Sequence, residues 1–90
     1  MATRITHVRF HRVVEHENAI SFRWNVDNGL SGETDRLTMI EWLEQGGELV
    51  IGEGRDQIPV AVVRIPGLAP FLRAHVNGQW TDRLLALPRF

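Results

Sequence analysis

The segment IPVAVVRI, residues 58–65, constrains the fold of this chain more than any other. It is rich in β-branched residues, and Pro59 stands near its start, where a strand tolerates a missing amide. Extended, it points Val60 and Val62 to one side and Ala61, Val63 and Ile65 to the other. A strand that is apolar on both faces needs cover on both. One short helix covers one face, so a second apolar segment is required. The final stretch TDRLLALPRF contains the best unassigned one, Leu84, Leu85 and Leu87. Burying three leucines contributes roughly 5–8 kcal/mol before ordering costs, comparable to the whole stability of a small domain. The expectation is a structural tail packed on the sheet. The competing expectation is a tail that docks into a partner or a second copy.

The remaining segments supply the other strands and the helix. In AISFRWNV, Ile20, Phe22, Trp24 and Val26 alternate with Ser21, Arg23 and Asn25, the period of a half-buried strand. In THVRFHRVV, Val8, Phe10 and Val14 share one face, and His7, Arg9 and His11 the other. The link EHEN suits a hairpin between these two strands. DNGLSGETDR has turn and loop chemistry. LTMIEWLEQGG predicts a short helix, with Thr38 and Glu41 as a capping box and Leu37 and Trp42 as a hydrophobic staple. Gly46 and Gly47 supply its left-handed stop. ELVIG, IPVAVVRI and FLRAHV read as further strands. Asn77–Gly78 signals a type I′ hairpin that sets His75 opposite Trp80 and Arg73 opposite Asp82. The predicted fold is a single α+β domain over residues 1–90. It has an antiparallel sheet of five or six strands, one short helix on one face and the apolar tail across the other.

Three segments, MIEWLEQGG, PVAVVR and WTDRLLALPRF, resemble in order and spacing a small bacterial family, domain-of-unknown-function family 3892. The resemblance spans roughly residues 5–90 and is most specific at the end, where the family pattern reads Asp-Asn-Leu-Leu-x-Leu-Pro and Arg83 here replaces the asparagine. The family carries no established activity, so the resemblance implies no catalytic residue. It implies a self-contained bacterial domain to which the ending belongs.

Composition narrows the function classes. With 90 residues, 43% hydrophobic and 23% charged, the chain has ordinary globular composition. The absence of cysteine removes disulfides and thiol chemistry and fits a cytoplasmic setting. The first ten residues lack the apolar core of a signal peptide, and no run approaches the roughly 20 apolar residues that span a bilayer. The expectation is therefore no membrane association.

Candidate chemistry is sparse. His7 and His11 share a strand face, but four residues span about 13 Å, too far for one metal ion. A site would need His75 and a carboxylate from another strand, and the four histidines, His16 included, read as solvent-facing or hydrogen-bonded on a half-polar sheet. Asp27, Ser31, Gly32 and Asp35 fall at positions of a calcium loop, but Gly29 and Thr38 stand where ligands are required. Gly52–Gly54 lacks the lysine and helix of a phosphate loop. Glu15/Glu17 and Glu41/Glu44 suit solvated surfaces better than acid–base work. No enzyme, cofactor or metal is expected.

One pattern is less ordinary. By alternation, Arg9, Arg23, Arg73, His75 and Trp80 fall on polar sides of their strands, while most acids lie in turns and on the helix. Such a face suits phosphates or an acidic protein, and Trp80 could stack a base. Net charge is only −1, however, and Asp82 neighbours Arg73. The first expectation is a non-catalytic module that binds another protein or its own copy. The alternative is nucleic-acid or polyanion binding through this Arg/His face.

Overall fold

A computed structural model describes residues 3–26 and 29–90. Its elements are β1 (Thr3–Phe10), β2 (Ala19–Asn25), β3 (Ser31–Asp35), α1 (Arg36–Glu44), β4 (Leu49–Ile51), β5 (Ile58–Val63), β6 (Phe71–Val76) and β7 (Gln79–Thr81). Short 3-10 turns form at His16–Asn18, Gly54–Asp56 and Arg83–Ala86. The strands make one seven-stranded sheet in the order β3-β2-β1-β4-β5-β6-β7. The α+β class holds, but the sheet has seven strands rather than five or six. SGETD, expected as loop, is the additional edge strand β3, paired with β2 from Ser21↔Asp35 to Asn25↔Ser31. Apart from Thr34 its residues have weak intrinsic β preference, and pairing with a partner strand overrides that. Asp27 and Asn28, the start of the expected loop, lie outside the described residues.

The sheet is antiparallel except at its centre, where β1 and β4 run parallel. Parallel neighbours need a crossover. After β3 the chain supplies it with α1, whose Met39 and Ile40 are buried in one cluster with Ile5, Val8, Phe22, Leu49, Val60, Leu72 and Ala74. Two register shifts, between Ile5 and His7 and between Arg9 and Phe10, interrupt the two-residue alternation along β1. The second shift pairs Phe10 with Ala19 and leaves Ile20 exposed. Val14 lies beyond the strand, in the connection.

The helix starts three residues before the expected capping box. Asp35 is the N-cap, and its Oδ1 accepts from the Thr38 amide at 2.8 Å. Asp and Thr are both capping types, but β3 delivers the chain in extended geometry at Asp35, so the earlier residue takes the role. Leu37 then falls in the first turn and is 63% exposed, so it forms no staple with Trp42. The stop is as expected. Gly46, at φ 101°, directs its amide to Leu43 O at 3.1 Å, and Gly47 directs its own to Trp42 O at 3.1 Å, the paired bonds of a Schellman motif.

The C-terminal segment packs within the chain: its leucines join the helix-side cluster rather than covering the second face, and Phe90 reaches that face against Arg9 and Arg23. Leu84 is fully buried in the same cluster as Met39 and Ile40, with Leu87 against it, while Leu85 is half-buried outside it. Beyond them the chain enters the plane of the sheet. The Val8 amide donates to Pro88 O at 3.0 Å, and Arg89 forms a parallel bridge with Val8. The reason is the brevity of β4. It pairs with β1 only at Thr3 and Arg4, which leaves the rest of that edge of β1 for the tail. On the second face of β5, Ala61 and Val63 remain half-buried.

Candidate functional site

The five residues expected to form a binding face separate into two groups. Arg9 and Arg23 stand on the adjacent strands β1 and β2, opposite in direction to Val8 and Phe22. Their guanidinium carbons lie 4.6 and 4.4 Å from the centroid of the Phe90 ring, and Arg9 Nε donates to Phe90 O at 3.2 Å. Arg73, His75 and Trp80 stand on β6 and β7. His75 lies directly across from Trp80, as the Asn77–Gly78 turn requires, and their rings meet edge to face at 5.5 Å. Positive φ at both turn residues, 52° and 82°, confirms the type I′ turn. Strands β4 and β5 intervene in the sheet order. No hydrogen bond, ion pair or ring contact links the two groups among the described residues.

Local pairing also reduces what these cations offer. Arg73 Nη2 contacts Asp82 Oδ1 at 2.8 Å and its Nε donates to Thr81 O. Arg23 lies 3.8 Å from Glu33. Beside the second group, His16 packs its ring on Phe71, with centroids 6.4 Å apart. Burial and the neighbouring Arg73 hold the His16 imidazole below its usual pKa, against the opposing pull of Asp82 and Glu17. Its Nε2, like Nδ1 of His75, is buried without a hydrogen-bond partner among the described residues. No group of three or more His, Asp or Glu side chains among those residues could hold a metal ion.

A different feature, invisible in the strand alternation, is more distinctive. An apolar cleft of about 290 Å³ opens between α1 and the β2–β3 side of the sheet, walled by Trp24, Val26, Thr34, Met39 and Trp42, with Thr38 beside them. Each indole rests on a glycine. A Cβ at Gly32 would stand 2.6 Å from the Trp24 ring, and one at Gly47 would stand 2.5 Å from the Trp42 ring. Trp24 thus lies across the backbone of edge strand β3, and its Nε1 is fixed by a 2.9 Å hydrogen bond to Thr34 Oγ1. Trp42 remains 37% exposed. No titratable side chain among the described residues lines the cleft. The signals in the sequence were two tryptophans each near a glycine, Trp24 with Gly32 across the β2–β3 pairing and Trp42 with Gly47 at the helix stop. A larger polar hollow of about 710 Å³ includes Arg4, Ser31 and Gln57, and its arginine is engaged with Glu53 at 2.6 Å.

Comparison with family models, with curated proteins and with solved structures finds no match to this chain.

Proposed function

We propose that this chain is a non-catalytic, cytoplasmic interaction module that binds an extended segment of another protein at the Trp24–Trp42 cleft and the adjoining edge of β3. The observation that carries this reading is the juxtaposition of the two. β3 ends the sheet with one edge unpaired among the described residues, and an unpaired edge is a template for another strand. Beside it lies an apolar cleft with two seated indoles, the residue type enriched at binding hot spots. The cleft offers threonine hydroxyls and aromatic walls but no titratable side chain among the described residues to activate them, which suits an apolar side chain rather than bond-breaking chemistry. Membership of family 3892 belongs to the same proposal and rests on the three quoted segments. The polyanion reading is the weaker one, because Arg23 and Arg73 face acidic neighbours and Arg9 and Arg23 stack on Phe90.

Selection of a displayed library of random peptides on the intact protein tests the reading. Enriched peptides should bind the wild type and lose binding to Trp42→Ala, with circular dichroism confirming that the variant is folded. Thr38→Arg, which places a cation at the exposed rim of the cleft, is a second variant for the same purpose. A library that yields no binder, or binders indifferent to both substitutions, overturns the assignment.

A further inference from the structure

We infer that the β3 edge selects a segment carrying a cationic side chain opposite Glu33, and that Glu33 at the same time prevents the edge from pairing with a second copy of this chain. The inference rests on the docking reading above and specifies the partner's chemistry.

By register, Gly32 and Thr34 share the face of Trp24 and Phe22, toward the cleft, whereas Ser31, Glu33 and Asp35 share the face of Asn25, Arg23 and Ser21. A strand added at this edge therefore meets two different surfaces in alternation. On the cleft side, bare Gly32 leaves the Trp24 ring lying over the backbone, so an apolar side chain opposite Gly32 meets the indole. On the other side it meets the exposed carboxylates of Glu33 and Asp35. Asp35 is occupied by the Thr38 amide. Among the described residues Glu33 pairs with Arg23, at the long distance of 3.8 Å, and retains capacity for a closer partner. Opposite charges directly across a ladder attract and like charges repel. The partner segment is thus one with lysine or arginine alternating with an apolar residue.

The same arithmetic excludes the homodimer. A two-fold antiparallel pairing of Ser31–Asp35 with itself at full overlap sets Glu33 against Glu33. Sliding the register by two residues toward the helix sets Glu33 against Asp35, twice. Sliding it the other way leaves only Ser31, Gly32 and Glu33 in register. A one-residue slip inverts the faces. Every extensive two-fold antiparallel self-pairing that keeps the faces aligned opposes acids, a device by which natural edges avoid their own copies.

The test is the sequence pattern of the selected peptides together with a charge reversal. Wild-type protein should enrich peptides in which Lys or Arg alternates with an apolar residue. Glu33→Lys should lower affinity for a synthetic copy of such a peptide on the order of tenfold and shift selection toward Asp and Glu. Methylating alternate backbone amides of that peptide should abolish binding, since strand addition uses them. Sedimentation should show the wild type monomeric. Cleft-dependent binders with no charge preference, unaffected by Glu33→Lys, would overturn the inference while leaving the docking reading intact. A wild-type dimer abolished by disrupting β3 would overturn it as well. The absence of any binder removes both.

Discussion

Gly32 illustrates how one missing side chain organises its surroundings. Strand interiors ordinarily disfavour glycine because it packs nothing, yet here the vacancy is filled by the Trp24 ring at a distance where no Cβ fits. Gly32→Ala should displace the indole, break its bond to Thr34 and lower stability by about 1–3 kcal/mol. A blue- or red-shifted tryptophan emission and a lower urea midpoint would register it; unchanged values would show that the ring is not seated there. His16 makes a second residue-level case. It is 7% exposed, and burial and Arg73 lower its pKa in the folded state. The unfolded chain therefore takes up a proton first as pH falls through 6.5, the ordinary histidine value, and stability declines from there toward the lower folded value. His16→Phe should flatten this part of the pH–stability profile. A wild-type midpoint independent of pH between neutrality and about pH 5 would refute the assignment.

Among the elements, α1 depends on how it is entered. Asp35→Ala should lower the thermal midpoint more than Thr38→Ala, because alanine at 38 keeps the amide that is the main bond to Asp35 and loses only the secondary bond from the Thr38 hydroxyl. The Thr38 amide, and after it the Thr38 hydroxyl, hold the Asp35 carboxyl below its usual pKa. Its stabilising effect is thus present above the unfolded value of 3.8 and fades as pH falls through the folded one. The gap between wild type and Asp35→Ala should close in strong acid. Equal losses for the two variants at neutral pH would return the cap to Thr38. The C-terminal segment depends on one anchor. Leu84 is 0% exposed in the central cluster, so Leu84→Ala should cost about 2–5 kcal/mol, and Leu85→Ala distinctly less. Deleting residues 84–90 should unfold the domain, since β1 would lose its neighbour along the edge that β4 leaves open. A truncated protein with an unchanged melting temperature would contradict this.

Across the whole molecule, charge is distributed in local pairs rather than in a field. Arg4–Glu53, Arg23–Glu33, Arg64–Glu44 and Arg73–Asp82 join different parts of the chain. Exposed pairs of this kind contribute little to stability, but they compete with an external polyanion for the same guanidinium groups. Labelled single-stranded DNA or RNA should therefore show no tight association even at about 50 mM salt, where phosphate contacts are strong. Binding that weakened steeply with added salt and with Arg9→Ala would reinstate a nucleic-acid role. No described helix is long and apolar enough to cross a membrane.

Features set by near neighbours in the chain were legible before any coordinates. The β5 and β6 strands, the Asn77–Gly78 hairpin with His75 against Trp80, the glycine stop of α1 and the burial of the terminal leucines all follow from alternation, turn chemistry or apolar content. Features set by distant partners were not. SGETD lacks the composition of a strand and becomes β3 because β2 offers it a ladder. That strand then moves the helix cap from Thr38 to Asp35. Arg89 reaches the edge of β1 because β4 pairs with that strand only at Thr3 and Arg4. The Trp24–Trp42 cleft arises where α1 crosses back over the sheet to place β4 beside β1. Alternation reports which side of a strand a residue occupies; it carries no information about which strand lies next to it, and that neighbour decided both the placement of the tail and the location of the candidate site.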